Sequence, residues 1–150
     1  MKKTTVIVTI IASTLAAIIL MGCAAKENFP DNPSQIYTNA EDYYNRGKYT
    51  KSIELLDYLT LNHAGSQFAD DAQLLLAMSY FKDKKFTSAA AEFRRLLTSF
   101  PESEHVENAQ YMIAESYWEM SPRAELDQDF TETALDLYND FLEYYPESEY

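Results

Sequence analysis

Two kinds of residue recur in this sequence at one fixed interval. Three alanines and three tyrosines are each spaced by 37 residues: Ala40, Ala77, Ala114, Tyr43, Tyr80 and Tyr117. Positions later in the repeat are spaced first by 37 and then by 45 residues, as in Ser66, Ser103 and Ser148. A period in the thirties with small and aromatic residues at fixed offsets is typical of stacked helix pairs. The longer second interval indicates an insertion of eight residues in the third copy.

Each period is similar to a tetratricopeptide repeat, in which two antiparallel helices form a hairpin. In the second copy the matching positions are Ala77, Tyr80, Phe86, Ala89, Phe93, Leu96 and Pro101. We expect Ala77 and Ala89 at the helix crossing, because only a small side chain lets the two backbones approach there. Pro101 should follow the end of the second helix, since proline cannot donate the next hydrogen bond. The sequence therefore predicts an all-α fold, a tetratricopeptide-repeat right-handed α-solenoid of about three repeats.

The period and the composition divide the chain into five predicted segments. Residues 1–22 are expected to be a signal peptide and residues 23–35 a tether. Within the tether, Pro30 and Pro33 are incompatible with a continuous helix. The three repeats are expected at residues 36–69, 70–106 and 107–150, the last with the eight-residue insertion.

The beginning of the chain has the layout of a bacterial signal peptide. Two lysines after Met1 precede an uncharged apolar stretch over residues 4–22. This stretch is marginal for a membrane-spanning helix, which needs about 20 apolar residues. Leu20-Met21-Gly22-Cys23 resembles the lipobox of bacterial lipoproteins, in which the cysteine is acylated before the signal is removed. The alternative is a chance cysteine at the end of an anchor helix.

Acylation at Cys23 would fix the location of the protein. Several acyl chains on one cysteine hold a protein firmly to a membrane, whereas one chain does so only marginally. In bacterial lipoproteins an aspartate after the cysteine is associated with retention in the inner membrane, and here Ala24 follows. We therefore expect a lipid anchor in the outer membrane, with the body of the protein on the periplasmic face.

Charge and residue types argue against several functions. The chain has a formal net charge of −12, so it should repel phosphates, and a nucleic-acid partner is not expected. His63 and His105 both fall in predicted turns, 42 residues apart, and the only cysteine is Cys23. This spacing is unlike that of a metal site. The sequence thus predicts no catalytic residues, no metal and no cofactor, and a protein that is not an enzyme.

The third copy ends on letters that the second copy also contains. Pro-Glu-Ser-Glu occupies residues 101–104 and again residues 146–149, and we interpret each occurrence as the turn between two repeats. Ser103 and Ser148 are predicted to cap the following helix. The second occurrence predicts a further repeat. We therefore expect that the natural protein continues past Tyr150, or that the exposed edge of the last helix docks on something.

The insertion in the third copy lies between Trp118 and Thr131. Pro122 should end the preceding helix, because the residue before proline avoids the helical conformation. Asp129 is predicted to be the N-cap of the next helix, with Glu132 three residues later completing a capping box. The inserted loop is either a solvated acidic loop or a contact with a partner, and the sequence leaves both open.

Taken together, these features resemble the outer-membrane protein assembly factor BamD family, which consists of periplasmic lipoproteins made of tetratricopeptide repeats. The resemblance covers residues 20–150 and rests on the lipobox, the tether, the repeats and the insertion in the third repeat. The matching motifs are Leu20-Met21-Gly22-Cys23, Pro30-Asp31-Asn32-Pro33, Gly47-Lys48-Tyr49, Ala72-Gln73-Leu74, Ala109-Gln110-Tyr111-Met112-Ile113-Ala114 and Asp127-Gln128. There are two departures. Family members have about five repeats, and Leu126 stands where relatives often have arginine.

The resemblance implies a scaffold in the machinery that inserts β-barrel proteins into the outer membrane. Its implied partners are the β-barrel assembly protein, accessory lipoproteins, unfolded outer-membrane proteins, and the membrane through the lipid anchor. The family's contact with the barrel-bearing protein lies largely in the carboxy-terminal repeats, and this chain has three repeats. The alternative is a general tetratricopeptide-repeat periplasmic lipoprotein of cell-wall or division complexes.

A candidate peptide-binding groove follows from the first helix of each repeat. Positions i, i+4 and i+7 lie on one helical stripe, and in this fold that stripe is on the concave side. Apolar or aromatic residues begin and end all three stripes, and this arrangement suits an extended peptide with aromatic anchors. The predicted groove residues are Tyr37, Tyr44, Leu74, Met78, Phe81, Tyr111 and Trp118, with Glu41 and Glu115 between them. Several of them could instead pack between neighbouring first helices.

Overall fold

A computed structural model describes residues 30–123 and 126–150, and the regular structure in these ranges is entirely α-helical. The helices are α1 (Pro33–Asn45), α2 (Tyr49–Asn62), α3 (Ala69–Lys82), α4 (Phe86–Ser99), α5 (Val106–Glu119) and α6 (Asp129–Tyr144). The predicted signal peptide, Cys23 and the tether up to residue 29 lie outside the described residues. Within the described part, no helix is both long enough and apolar enough to cross a membrane.

The helices stack in the order in which they occur in the chain. Each one packs against the next, so that α1–α2, α3–α4 and α5–α6 form three hairpins, and α1 also contacts α3. Sequential packing of this kind is how solenoid repeats bury apolar faces that a single hairpin leaves open. The predicted all-α fold of stacked helix pairs is confirmed.

Small residues lie at the centre of each hairpin. Ala40, Ala77 and Ala114 on the first helices are fully buried, and so are the matching positions on the second helices, which are Ser52, Ala89 and Ala134. Larger residues pack around these crossings, where Leu56 and Phe93 are also fully buried. Because a buried alanine cannot grow without a clash, these positions fix the separation of the helices. The prediction that the periodic alanines face the interior is confirmed.

The beginning of α1 differs from the sequence prediction. Pro33 was expected to interrupt helical structure, but it is the first residue of α1, and Asn32 is its N-cap. The Asn32 side chain accepts a hydrogen bond from the Ser34 N–H at 2.9 Å. Proline is well suited to the first helical turn, because the N–H that it lacks would have no partner there. The proline therefore starts the first hairpin, three residues before the predicted boundary.

The turn inside each of the first two hairpins uses one left-handed residue. Gly47 has φ of +70°, and Lys84, which is 37 residues later, has φ of +59°. In the first turn the Lys48 N–H donates to the Tyr43 carbonyl at 2.8 Å, and the second turn repeats this bond at 2.9 Å. This is a Schellman end, which closes a helix through a left-handed residue. Glycine adopts that conformation without strain and lysine does not.

The turns between repeats share their own pattern, but Ser103 does not cap a helix as predicted. Its hydroxyl accepts the His105 N–H at 3.2 Å and donates to the Asp70 carboxylate at 2.8 Å. His105 precedes α5 and makes no side-chain cap. Ser148 repeats the local turn, because its hydroxyl accepts the Tyr150 N–H at 3.2 Å. The serine oxygen is thus used to close the turn through the His105 N–H, and its hydroxyl is held by a carboxylate 33 residues earlier, which a local capping signal cannot show.

The insertion connects the two helices of the third hairpin. α5 ends at Glu119, before Pro122, as the proline predicts. Asp129 is the first residue of α6 and not its N-cap, so the predicted capping box is wrong by one residue. The Asp129 N–H is instead accepted by the Asp127 side chain at 3.1 Å. A carboxylate still accepts a hydrogen bond from a backbone N–H, but this bond closes a turn before the helix and does not form a capping box.

Candidate functional site

The predicted groove residues lie on the first helices of the three hairpins. Tyr37 and Tyr44 are on α1, the middle set is on α3, and Tyr111 and Trp118 are on α5. The middle set consists of Leu74, Met78 and Phe81. Since α1 contacts α3 directly, the stripes on these two helices belong to neighbouring elements. Each helix carries one stripe, and we call the combined surface of these seven residues the aromatic stripe.

Aromatic rings from the inter-repeat turns brace two members of the aromatic stripe. Tyr37 stacks on Phe68, with ring centroids 5.7 Å apart and an interplanar angle of 18°. Tyr111 stacks on Tyr150 in the same way, at 5.2 Å and 20°. Stacked rings lose little conformational freedom when a further group binds, since their rotamers are already fixed. The turn after each of these repeats therefore orients the first residue of the stripe.

The middle repeat replaces this ring stacking with a polar contact. His105 occupies the position that corresponds to Phe68 and Tyr150. Its Nε2 lies 2.7 Å from an oxygen of Asp71, on the first turn of α3. The same junction is thus held by apolar stacking in one repeat and by a histidine–carboxylate contact in the next.

The other end of the aromatic stripe is braced by the second helices. Tyr44 meets Tyr49 edge-on at 5.6 Å, and Phe81 meets Phe86 edge-on at 5.3 Å. Edge-to-face geometry is a favourable arrangement for aromatic pairs. Trp118 is the residue of the third hairpin that corresponds to Tyr44 and Phe81, and it lies just before the insertion. Of its surface, 49% is exposed. Trp118 is therefore the predicted groove residue that offers the most surface to a ligand.

A carboxylate lies in the middle of the third stripe. The Glu115 oxygen Oε1 accepts hydrogen bonds from the hydroxyls of Tyr111, at 2.8 Å, and of Tyr138, at 2.5 Å. Burial, followed by the hydrogen bond to Glu115, raises the pKa of Tyr138 above its ordinary value. The hydrogen bond to Glu115 is the main cause of the raised pKa of Tyr111. Both phenols are therefore neutral donors at physiological pH, and they hold the carboxylate in place.

The tyrosines on α1 are also kept in their neutral form. Burial raises the pKa of Tyr37, and the nearby Asp71 and Glu41 carboxylates add to the effect. Burial is likewise the main cause of the raised pKa of Tyr44. A neutral phenol offers a ring face and one hydroxyl to a ligand. The stripe can therefore bind by stacking, apolar contact and hydrogen bonding.

The aromatic stripe contributes to the core as well as to the surface. Tyr37 packs against the first core cluster, and four other members pack against the second: Leu74, Met78, Phe81 and Tyr111. None of the seven predicted residues is fully buried. These side chains therefore contact the core while part of each remains at the surface. Peptide binding by these residues stays a prediction.

The sequence pattern assigned no role to the bracing rings. Tyr49 and Phe86, and separately Phe68 and Tyr150, recur with the repeat period, and this was visible in the sequence. What it did not reveal is that they contact the stripe. Tyr37 and Phe68 are 31 residues apart, and Tyr111 and Tyr150 are 39 apart. The difference of eight residues is the insertion, so a pairing rule that allowed for it would have found both pairs.

Within residues 30–123 and 126–150, no three His, Cys, Asp or Glu side chains are grouped so that they could hold a metal ion. What the arrangement offers is an apolar and aromatic surface with phenol hydroxyls and one fixed carboxylate. The stacked hairpins and this surface define a helical-repeat protein of the tetratricopeptide-like class.

The comparison with known families is more specific. Residues 30–150 match the family described as "YfiO: Outer membrane lipoprotein". The chain belongs to this family. The resemblance that the lipobox, the repeats and the insertion predicted is confirmed, because the similar curated proteins carry the name of the assembly factor BamD.

Three relatives indicate how far the similarity extends. "Outer membrane protein assembly factor BamD" of Caulobacter vibrioides is 25% identical over 146 residues, which are 93% of this chain and 48% of the relative. The protein of the same name from Rickettsia prowazekii is 25% identical over 146 residues, covering 93% and 57%. That of Vibrio cholerae is 27% identical over 104 residues, covering 68% and 43%. The chain thus spans about half the length of the first two relatives.

Proposed function

We propose that this protein is a lipid-anchored periplasmic scaffold of the outer-membrane β-barrel assembly machinery. In this role it receives unfolded outer-membrane proteins and contacts partner subunits, among them the β-barrel assembly protein and accessory lipoproteins. The observation that carries the proposal is the family match over residues 30–150, together with relatives named as outer-membrane protein assembly factors.

The aromatic stripe supports the substrate-receiving part of the proposal. A strand of an outer-membrane barrel alternates apolar and polar residues and carries aromatic residues near its ends. Before insertion, such a segment is an extended chain with exposed apolar side chains. Trp118, with half of its surface exposed, and the half-buried Tyr44 offer anchoring surfaces on two different hairpins. Bracing by Tyr49 reduces the ordering cost when Tyr44 binds.

The anchor supports the location. Acylation at Cys23 would hold the protein in the membrane, and the segment up to Asn32 would separate the helical body from the lipid surface. Ala24 after the cysteine is the reason to assign the outer membrane, with the helices on the periplasmic face. The helical body then needs no spanning helix of its own. Mass spectrometry of the mature amino terminus tests this, and an unmodified Cys23 would contradict it.

Substitution of the stripe residues tests substrate binding. Tyr44→Ala and Trp118→Ala should each lower photo-crosslinking to a peptide from an unfolded barrel strand about fivefold or more, because each removes an anchoring ring. Leu61→Ala is the matched control, since Leu61 is 70% exposed on α2 and lies outside the stripe. Helical circular dichroism should be unchanged in all three variants. Equal crosslinking by the original chain and both stripe variants would exclude the groove.

Purification from membranes separates the two function classes. A tagged chain should bring down the β-barrel assembly protein in a constant ratio, and depletion of the chain should reduce many outer-membrane proteins together. Co-purification with cell-wall or division proteins, without loss of outer-membrane proteins on depletion, would favour the general lipoprotein alternative. The Tyr44→Ala and Trp118→Ala variants are informative in either case, because they measure binding of the peptide and not membership of the complex.

A further inference from the structure

A second surface lies on the other side of the helices from the aromatic stripe. α4, α5 and α6 enclose an open cleft of about 240 Å³. Its apolar wall is formed by Leu97, Ile113, Leu137 and Phe141. Its polar rim is formed by Arg94, Gln110, Asp140 and Tyr144. Ile113 is two residues from Tyr111 and so points away from the stripe by about 200° around α5. We call this surface the rear cleft.

A smaller cleft, of about 190 Å³, lies in the equivalent place one repeat earlier. Four of its lining residues are equivalents of rear-cleft residues, and all four are polar: Thr60, Gln73, Arg95 and Ser99. There Gln73 is buried and donates from Nε2 both to the Glu92 carbonyl, at 3.0 Å, and to the Glu92 carboxylate, at 2.8 Å. In the rear cleft the position of Glu92 is taken by Leu137. The apolar opening is therefore a property of these particular side chains.

The cleft is exposed to solvent at a large apolar side chain. Tyr144, at its rim, has 75% of its surface exposed. Leaving apolar groups in water is unfavourable, and an aromatic ring beside an apolar hollow is typical of a protein-binding surface. The rest of the chain, as far as the structure describes it, leaves this opening accessible.

The charge around the cleft identifies the kind of partner. α6 carries five carboxylates, at Asp129, Glu132, Asp136, Asp140 and Glu143, and no basic residue. On the opposite rim, Arg94 is directed to Tyr117, since its guanidinium donates to the hydroxyl at 3.1 Å and lies 5.1 Å from the ring centroid. Among these carboxylates Asp140 lines the cleft, and Arg94 on the opposite rim keeps its positive charge. The α6 side of the cleft is therefore the acidic side, which favours a basic partner lying along α6.

We propose that the rear cleft docks a basic amphipathic segment of a partner protein. One large apolar side chain of the segment enters the hollow beside Leu137, and a lysine or arginine one helical turn away pairs with Asp140. The segment lies along α6, so that further basic residues meet its remaining carboxylates. The rear cleft opens on the other side of α5 from the aromatic stripe, and Phe141 packs between the cleft and Tyr111 of the stripe. The proposal does not depend on which unfolded substrate the stripe receives.

A defined peptide probe tests the proposal on the full chain in non-ionic detergent. The probe is a short alanine–lysine helix with a leucine and a benzophenone amino acid one turn apart. The control probe carries glutamate in place of every lysine. Illumination should crosslink the lysine probe to residues of the cleft wall, mapped by mass spectrometry, with about tenfold lower yield for the glutamate probe.

Surface variants make the test specific. Asp140→Lys and Tyr144→Ala should each lower the crosslink yield about tenfold, and neither removes a buried side chain. Asp31→Lys makes the same change of net charge near the other end of the described chain and should leave the yield unchanged. Leu142→Ala should also have no effect, because Leu142 is 58% exposed on the opposite flank of α6. Trp118→Ala should not affect this probe, which separates the result from that of the aromatic stripe.

Three outcomes would overturn the proposal. Equal yields with the lysine and glutamate probes would exclude the charge argument. Crosslinks at Leu135 or Leu142 would place the docking surface on the other flank of α6. A dimer of the chain that Asp140→Lys dissociates, seen by light scattering without any probe, would make a second copy the occupant.

Discussion

The two junctions between consecutive hairpins have the same helical framework and opposite chemistry at the rear. At the first junction α3 lies between α2 and α4, and Gln73 is 1% exposed and bonded to Glu92. The Tyr80 hydroxyl also reaches the Asp57 carboxylate, at 3.5 Å. The first junction has a smaller, polar cleft in this place, whereas at the second junction, where α5 lies between α4 and α6, the cleft is the larger and apolar rear cleft.

The substitutions that separate the two junctions occur at equivalent positions. The first junction has Asp57, Glu92, Arg95 and Ser99. The second junction has Arg94, Leu137, Asp140 and Tyr144 at the corresponding positions. Meanwhile the buried crossing residues of the second and third hairpins remain alanines, at Ala77 and Ala114, and at Ala89 and Ala134. The comparison shows that the crossing fixes how hairpins stack. The rear surface of each junction is then free to be a polar cleft with internal hydrogen bonds or an apolar one.

Removal of the glutamine at each junction should give the largest difference. Gln73→Ala should lower the free energy of unfolding by about 2 kcal/mol, because it deletes a buried side chain with two hydrogen bonds. Gln110→Ala, at the equivalent half-buried position of the rear cleft, should cost less than about 1 kcal/mol. Urea unfolding followed by circular dichroism measures both. Equal losses would mean that the polar contacts of the first junction add no stability beyond that of the second junction.

Exchange of one residue between the junctions should have a smaller effect on stability. Glu92→Leu should cost about 1 kcal/mol, since the Gln73 Nε2 then keeps only the backbone carbonyl as acceptor. Leu137→Glu should change stability by less than about 1 kcal/mol, because Gln110 gains an acceptor while apolar contact is lost. It should also abolish crosslinking of the lysine probe to the cleft wall. Thermal melts and the crosslink yield are the measurements. If Leu137→Glu kept the crosslink, the apolar side chain at this position would not be what makes the second junction a binding surface.

The smallest effect concerns alkaline pH and the third hairpin. The pKa of Tyr138 is raised above the ordinary 10.0 by burial and by Glu115. The folded protein therefore keeps a proton that the unfolded chain loses, so stability should be complete below about pH 10 and should fall as the pH rises above that value. In the second hairpin the corresponding residues are Phe93 and Met78, which do not titrate.

Tyr138→Phe should make the alkaline loss of stability less steep and should lower stability at neutral pH by no more than about 1 kcal/mol, because it removes the hydrogen bond to Glu115. Urea unfolding between neutral pH and pH 11 can be followed through the fluorescence of Trp118, the only tryptophan in the chain. Other tyrosines with a raised pKa, such as Tyr37, should leave part of the slope in place. An unchanged slope in Tyr138→Phe would show that the Tyr138–Glu115 contact does not couple to folding.

Much of the fold could be predicted from the sequence because the repeat period is a direct record of packing. A buried crossing accepts only a small residue, so Ala40, Ala77 and Ala114 mark the same place in three hairpins. Proline after a helix and the position of the insertion were also readable, since both depend on local backbone chemistry. The family resemblance came from the order of these local features along the chain.

The remaining features depend on contacts between distant residues. Ser103 looked like a helix cap, but its oxygen closes a turn with the His105 N–H, and its hydroxyl donates a hydrogen bond to Asp70, 33 residues earlier. Pro33 looked like an interruption, but Asn32 before it made it a helix start. The rear cleft was not predicted at all, because it depends on what three helices leave unfilled between them. Spacing alone gives the face of a helix on which a residue lies, and not the distance to the neighbouring helix.

The left-handed turn position of the first two hairpins leads to one more consequence. Gly47 and Lys84 close the hairpin tips, and their counterpart in the third hairpin is Ser121, where the extra residues begin. The added length enters at a tip, and Ala134 is still fully buried beyond it. Lengthening such a connection costs little loop-closure entropy. Hairpin tips are therefore where this architecture can accommodate new sequence, natural or grafted, while the pitch of the stack stays the same.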